Sequence, residues 1–240
     1  MQLSRTTGPD LVLPREYGSP DAHEGGSELA PGAAGPRVAP PDGVYPRLAK
    51  PALDRVLGTV ALVLLSPLLA AIAVGVLVTS GRPVFFRQQR VGKDDVPFTI
   101  LKFRTMLADR RLAPAPIEHA ERRGYHKSDV DPRHTQFGRL LRRFSLDEVP
   151  QLVNIVRGDM SLVGPRPELP QVVRAYQPWQ HQRHLVRPGL TGTWQISARG
   201  DGPMHEFLHL DLDYVARLSL AHDLALLCKT VPALLRRQGH

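Results

Sequence analysis

Residues 56–78 read VLGTVALVLLSPLLAAIAVGVLV, and no charged residue interrupts the run. At about 1.5 Å of rise per residue, a straight helix of this length covers roughly 35 Å, enough to cross a bilayer. The ordinary reading is therefore a single membrane-spanning helix. Ser66–Pro67 in the middle of the run speaks against it. Proline supplies no backbone N–H, and its ring clashes with the preceding turn. A helix broken at half depth can return to the face it entered. The flanks point the same way: Arg47, Lys50 and Arg55 precede the run, and Arg82, Arg87, Arg90 and Lys93 follow it. Basic flanks favour the cytoplasmic side. Proline kinks also occur in true spans, so the residues alone leave the re-entrant and the spanning forms open.

Upstream, residues 1–46 are rich in Pro, Gly and Ala and show no apolar periodicity. Such a segment buries too little surface to offset its ordering entropy, and disorder is expected. No apolar core stands close behind the first methionine, so a signal peptide is not expected. Three parts follow: a tail over 1–46, a membrane-inserted segment with basic flanks over 47–82, and a domain over 83–240.

Downstream of the apolar run, VFF (84–86) and FTILKF (98–103) surround Gly92–Lys93–Asp94–Asp95. β-branched and aromatic residues on either side of a turn cluster predict a β-hairpin. Residues 107–130 read as a polar connection with a short helix. Residues 135–143 and 148–156 carry helical spacing, and Gly158 suits the position that ends the second helix. Residues 159–203 are rich in Pro and Gly and read as loops with short strands. Helical pattern returns over 205–217 and 219–237. The last stretch pairs Leu224, Leu227, Val231 and Leu234–Leu235 with Lys229, Arg236 and Arg237. That suits an amphipathic helix on the core or on a membrane surface. The fold class is α+β, mostly helical: a small membrane-associated domain with a broken membrane helix and a short hairpin.

The formal net charge of +8 predicts anionic partners. Aromatic residues are only 6% of the 240, and no DNA- or RNA-binding signature occurs, so nucleic acid is not among them. The single cysteine, Cys228, cannot form an intrachain disulfide. A buried structural thiol is the expectation.

Residues 131–168 concentrate the candidate chemistry: DPRHTQFGRLLRRFSLDEVPQLVNIVRGDMSLVGPRPE. Ser145–Leu146–Asp147–Glu148 fits a capping box, with Ser145 as the cap and Glu148 reaching back to it. The same geometry has a chemical reading. A helix start binds anions, a carboxylate there stays ionised and nucleophilic, and two neighbouring carboxylates suit Mg²⁺ with substrate phosphates. Arg142 and Arg143 precede the pair, Arg139 lies a turn earlier, Arg166 sits in GPRP, and Arg187 sits in RPG. Guanidinium groups fit phosphate in a bidentate manner, although exposed arginine is usually a solvated charge. Lys102 and Arg104 alternate with apolar neighbours in KFRTM, so both are placed on one side of a strand. His181 and His184 lie three apart, yet no third ligand is evident and zinc is not expected. No phosphate-binding glycine loop of a known pattern occurs.

In order along the chain stand the apolar run with Ser66–Pro67, KFRTM (102–106), SLDEVPQ (145–151), GDMSLVGPRP (158–167), RPGLTGTWQIS (187–197) and LDLDYV (210–215). Together they closely resemble the bacterial sugar transferase family, the monotopic polyprenyl-phosphate phosphoglycosyltransferases. The resemblance covers nearly everything after the tail. It implies transfer of a phosphosugar from a nucleotide diphosphate sugar, UDP-linked by expectation, to polyprenyl phosphate, with undecaprenyl phosphate the expected carrier. The product is a polyprenyl-diphosphate sugar, and the nucleoside monophosphate leaves. It implies Asp147 as the nucleophile, through a covalent aspartyl phosphosugar, and Glu148 as its dyad partner. Asp147 and Glu148 are the implied metal ligands, for Mg²⁺ with Mn²⁺ as substitute. Lys102, Arg104, Arg142, Arg166 and Arg187 are the implied phosphate-binding cations, and Asp211 is a further motif residue. The re-entrant form of 56–78 is implied too, with the domain on the cytoplasmic face of the bacterial cytoplasmic membrane, among membrane lipids. The role implied is the first membrane step of exopolysaccharide, capsule or glycoconjugate assembly. Ala198 and the stretch Asp201–Met204 depart from the family pattern, which leaves the sugar undetermined. Two other classes compete: a non-catalytic membrane scaffold keeping the fold, and a metal-dependent glycosyltransferase that releases nucleoside diphosphate.

Overall fold

The computed structural model describes residues 37–107, 133–197 and 207–236, with side chains to residue 233. The expected disordered tail up to residue 36, most of the 107–130 connection and the Ala198–Met204 departures lie outside the described residues. A wide turn, Tyr45–Ala49, leads into α1 (Lys50–Leu64), and α2 (Ser66–Ser80) follows. The pair is bent by 62° at the break. Sequence chemistry accounts for the bend. Pro67 has no N–H to offer the Val63 carbonyl, and the Ser66 hydroxyl donates to that carbonyl instead, at 2.7 Å. The ladder is otherwise kept: Leu65 N–H donates to Ala61 and Leu69 N–H to Leu65. Among the described residues, no single helix is long and apolar enough to cross a membrane, whereas the bent pair together meets that length and composition. The outer face of the pair is apolar and exposed at Val56, Val60, Val63, Leu64, Val74 and Val78.

One of the expected basic flanks is not at the surface. Lys50 is buried, and its Nζ lies 2.6 Å from Asp223 Oδ2. The reason is a polar knot between α1 and the last helix. Tyr45 and Lys50 both donate to Asp223 Oδ2, and Tyr214 donates to Asp223 Oδ1.

The hairpin is present. β1 (Phe85–Val91) pairs antiparallel with β2 (Pro97–Phe103), with Phe86 opposite Lys102. Its turn holds Asp94 and Asp95 at positive φ. α3 (Gln136–Arg143) packs on α2, and glycine at 138 lets its backbone meet the Thr105 carbonyl where a Cβ would collide. A 3₁₀ segment, Leu146–Gln151, then runs into α4 (Leu152–Arg157), which ends at Gly158 with φ 90°, as its position predicts.

The loop-rich region contains two strands, β3 (Ser161–Val163) and β4 (Gly189–Thr191), which pair in parallel. Around them lie α5 (Pro170–Val173), a 3₁₀ segment Pro178–Leu185 and α6 (Thr193–Ser197). α7 (Leu208–Ala216) and α8 (Leu220–Arg236) close the domain. The inward stripe of α8 is Asp223 and Leu226, with Leu227 half-buried against the core, while Leu224 and Val231 are exposed, because the knot at Asp223 fixes which face turns in. One expectation for α8 is corrected. Cys228 falls on the outer side of the same helix and is exposed, not buried.

Three larger apolar clusters and a smaller one around Trp194 hold the described elements. Phe98, Ile100, Leu152, Ile155 and Met160 join β2 to α4, with Ala61, Leu62 and Leu65 of α1 against them. Ile72, Val76, Phe103 and Leu141 join α2, β2 and α3. Val163, Val186, Tyr214, Val215, Leu218 and Leu226 form the third. β2 thus contacts two clusters with its two faces, as alternation along a strand requires.

Candidate active site

Asp147 and Glu148 lie in the first turn of the 3₁₀ segment Leu146–Gln151, beside β2. The expected capping box is absent. Ser145 takes a left-handed conformation (φ 56°), and its hydroxyl caps nothing. Glu148 turns away from Ser145 because two cations claim it. Its Oε1 accepts from Lys102 Nζ at 2.7 Å and from Arg166 Nη2 at 2.8 Å, and its Oε2 lies 3.5 Å from Arg166 Nη1.

Asp147 differs from its neighbour. Among the described residues no hydrogen bond or ion pair holds its carboxylate. Burial and the adjacent Glu148 charge push its pKa up, against the opposing pull of Lys102, Arg142 and Arg166. Burial likewise pushes the Lys102 ammonium down, opposed by Glu148. The Glu148 charge holds Arg166 firmly protonated, against burial. Lys102, Arg142 and Arg166 therefore surround the two carboxylates. Arg142 itself is held by His134, Nη1 to Nε2 at 3.0 Å.

Three other predicted residues stand elsewhere. The Arg104 guanidinium donates to the carbonyls of Ser80, Gly81 and Arg82, closing the C-terminal end of α2, where helix carbonyls lack partners. Arg187 donates through Nε to the Gly158 carbonyl at 2.8 Å, at the end of α4. Asp211 is fully buried and pairs with Arg183 at 2.6 Å. Ser66 and Pro67 lie at the bend, as expected.

The sequence reading missed the residues that hold the clamp. Asn154 is fully buried within α4. It donates to the Thr99 carbonyl and accepts from Leu101 N–H, fixing β2 so that Lys102 meets Glu148. Arg183 donates to the Arg166 carbonyl at 2.6 Å while paired with Asp211, fixing the GPRP loop. Arg90 supports the same loop through the Pro167 carbonyl. Arg166 also lies over the Trp194 ring, 6.0 Å from its centroid. An isolated asparagine in the apolar run LVNIV was the available signal for Asn154, since a buried amide must be hydrogen-bonded. Nothing local distinguished Arg183.

The two carboxylates offer hard oxygen donors. Asp147 is not engaged by protein donors among the described residues, and a substrate phosphate completes the kind of ligand set that Mg²⁺ prefers. The donor chemistry therefore fits the expected ion. Cations clustered around one engaged and one unengaged carboxylate suit binding a phosphate and attacking it.

The family model for bacterial sugar transferases matches residues 45–237. The exopolysaccharide production protein ExoY of Rhizobium meliloti (strain 1021) is 40% identical over 198 residues, covering 80% of this chain and 88% of that protein. The UDP-glucose:undecaprenyl-phosphate glucose-1-phosphate transferase of Caulobacter vibrioides is 41% identical over 207 residues, 81% of this chain and 74% of that protein. The undecaprenyl-phosphate galactose phosphotransferase of Salmonella typhimurium is 38% identical over 199 residues, and this chain spans only 42% of its length.

Proposed function

The chain belongs to the bacterial sugar transferase family, and we propose that it transfers a sugar 1-phosphate from a UDP-sugar to undecaprenyl phosphate. The activities named for its relatives in Caulobacter and Salmonella support the substrate classes. The observation that carries the mechanism is the contrast between Glu148, clamped by Lys102 and Arg166, and Asp147, which no donor among the described residues holds.

An Asp147 carboxylate oxygen attacks the sugar-linked phosphorus. The bond from that phosphorus to the bridging oxygen breaks, and nucleoside monophosphate leaves with the electron pair. An oxygen of the lipid phosphate then attacks the same phosphorus and displaces Asp147, giving the polyprenyl-diphosphate sugar. Lys102, Arg142 and Arg166 neutralise the phosphoryl oxygens as charge builds on them. Glu148 orders Lys102 and Arg166 and sets the charge beside the nucleophile. Asp147 and Glu148 would hold Mg²⁺, or Mn²⁺ in its place, which supplies further neutralisation of phosphate charge. A covalent intermediate lets one site take two anionic substrates in turn.

The membrane placement follows the same reading. α1 and α2 enter and leave by the cytoplasmic face of the bacterial cytoplasmic membrane, their exposed apolar face in lipid, so that the soluble and the lipid substrates reach one site. The step serves exopolysaccharide, capsule or glycoconjugate assembly, consistent with the name of the Rhizobium relative.

The test is nucleotide release by the purified chain with Mg²⁺ and a panel of UDP-sugars, first without acceptor. Near-stoichiometric UMP with a matching mass gain on the chain is expected, and Asp147→Asn should show neither. UMP released only when acceptor is present would overturn the covalent step. Release of UDP would favour a sugar transferase that moves no phosphate, and no release under any condition would favour a scaffold.

A further inference from the structure

The hairpin turn and the Pro178–Leu185 segment, far apart in sequence, bring together three groups that the chemistry above does not use. Asp95 Oδ1 lies 3.0 Å from His181 Nδ1 and 2.6 Å from His184 Nδ1. One ligand atom from each residue falls within 4.8 Å of the other two. The missing third ligand to the His181–His184 pair is thus supplied from the turn at Asp95. We infer that Asp95, His181 and His184 bind one divalent transition-metal ion of the zinc class, as a structural site separate from Asp147 and Glu148.

Ligand chemistry supports the class. Two imidazole nitrogens and one carboxylate oxygen suit Zn²⁺, while Mg²⁺ prefers oxygen throughout. In tetrahedral zinc geometry neighbouring ligand atoms stand about 3.3 Å apart. The present spacings need to widen by about 0.3–0.7 Å to reach that, and Asp95 sits in an exposed turn that can move. Half of the Asp95 side chain is open to solvent (48%), which gives an ion and a completing water a way in.

Neutral imidazole is the form that ligates a metal. Without metal each Nδ1–H donates to Asp95. On binding, the ion takes the Nδ1 lone pairs, and each neutral ring carries its one proton on Nε2. Tyr176 packs against both rings, stacked on His184 at 6.1 Å and edge-on to His181 at 5.7 Å, which limits their rotation.

The position gives the ion a consequence. Arg183 lies between the two histidines, and its guanidinium holds the Arg166 carbonyl. Tying Asp95 to this segment joins the hairpin, which carries Lys102, to the loop that carries Arg166. The ion would thus stiffen both arms of the Glu148 clamp. The site stands on its own geometry, whatever reaction the clamp serves.

The experiment uses the tag-free full chain in detergent, loaded with Zn²⁺, freed of loose metal and analysed by elemental mass spectrometry. A parallel sample takes Co²⁺ as a visible-absorption probe. About one equivalent of Zn²⁺ should remain in the wild type and in Asp147→Asn. Asp95→Asn, at an exposed position, and His181→Gln, at a half-buried one, should each lose it, along with the zinc-dependent rise in melting temperature. A wild type that retains no zinc, or turn and histidine variants that retain the same equivalent, would overturn the site.

Discussion

Two lysines, Lys50 and Lys102, pair with buried carboxylates in this domain, and they have opposite surroundings. Lys50 reaches Asp223 at 2.6 Å, and Tyr45 and Tyr214 also donate to that carboxylate, so both of its oxygens are engaged. Lys102 reaches Glu148 at 2.7 Å with Arg166 beside it, and the adjacent Asp147 is left unengaged by the described residues. A buried charge whose two oxygens are both held by protein donors locks elements together. A buried charge arranged beside an unused one holds a site open for a ligand. Proximity of lysine and carboxylate is common to both, so the accounting of acceptors is what separates structure from chemistry.

Asp147→Asn tests the contrast hardest. Turnover should fall by about 10⁴-fold or more. The folded-state pKa of Asp147 is raised, so protonation favours the fold, and that contribution is lost as pH rises through the raised value. At neutral pH the neutral amide should therefore raise the melting temperature while removing activity. A fall in both would mean that Asp147 is structural. Asp223→Ala should do the reverse. Leaving buried Lys50 with only Asp54, 3.8 Å away, costs up to about 3–5 kcal/mol, read as a lower melting temperature, with turnover per folded molecule unchanged.

Glu148→Gln sharpens the comparison through pH. The Glu148 charge raises the Asp147 pKa, and removing it also frees Lys102 and Arg166 to stabilise the Asp147 carboxylate. The acid limb of the rate profile should move to lower pH, while kcat falls by about 10²-fold. A limb that stays or rises would break the electrostatic coupling of the two neighbours. The smallest effect is expected from Pro67→Leu, which restores an N–H for the Val63 carbonyl and relaxes the 62° bend. Labelling of residues before 46 from either side of the membrane reads the outcome. Unchanged cytoplasmic exposure would remove Pro67 as the main determinant of the bend.

Much of this architecture was legible where the signal was local. The broken apolar run, the hairpin around Gly92–Asp95, the helix end at Gly158 and the Asp147–Glu148 pair beside Lys102 and Arg166 could all be read. Where reading failed, a distant partner had intervened. Ser145 looked like a cap, but the turn from α3 into the 3₁₀ segment forces it left-handed while distant cations take Glu148. Lys50 looked like a flank and Cys228 like a core residue until Asp223 fixed the facing of α8. Arg104 and Arg187 looked alike in sequence, and the carbonyl end of a helix that each closes could not be read there. The third partner of His181 and His184 lies 86 residues from the first of them. Periodicity shows which face a residue occupies but not which neighbour arrives there.

The two bonds from Asn154 to the backbone of β2 make that strand intolerant of changes in length. A single inserted or deleted residue between Thr99 and Lys102 would turn Lys102 to the opposite face and bring an apolar residue to Glu148. The Gly92–Val96 turn lies outside those bonds, so length variation there leaves the alternation of β2 intact. Natural variation in chain length among relatives should accumulate at the turn and be purged from the strand, and the Asp95 cluster stands on the side of that boundary where drift is tolerated.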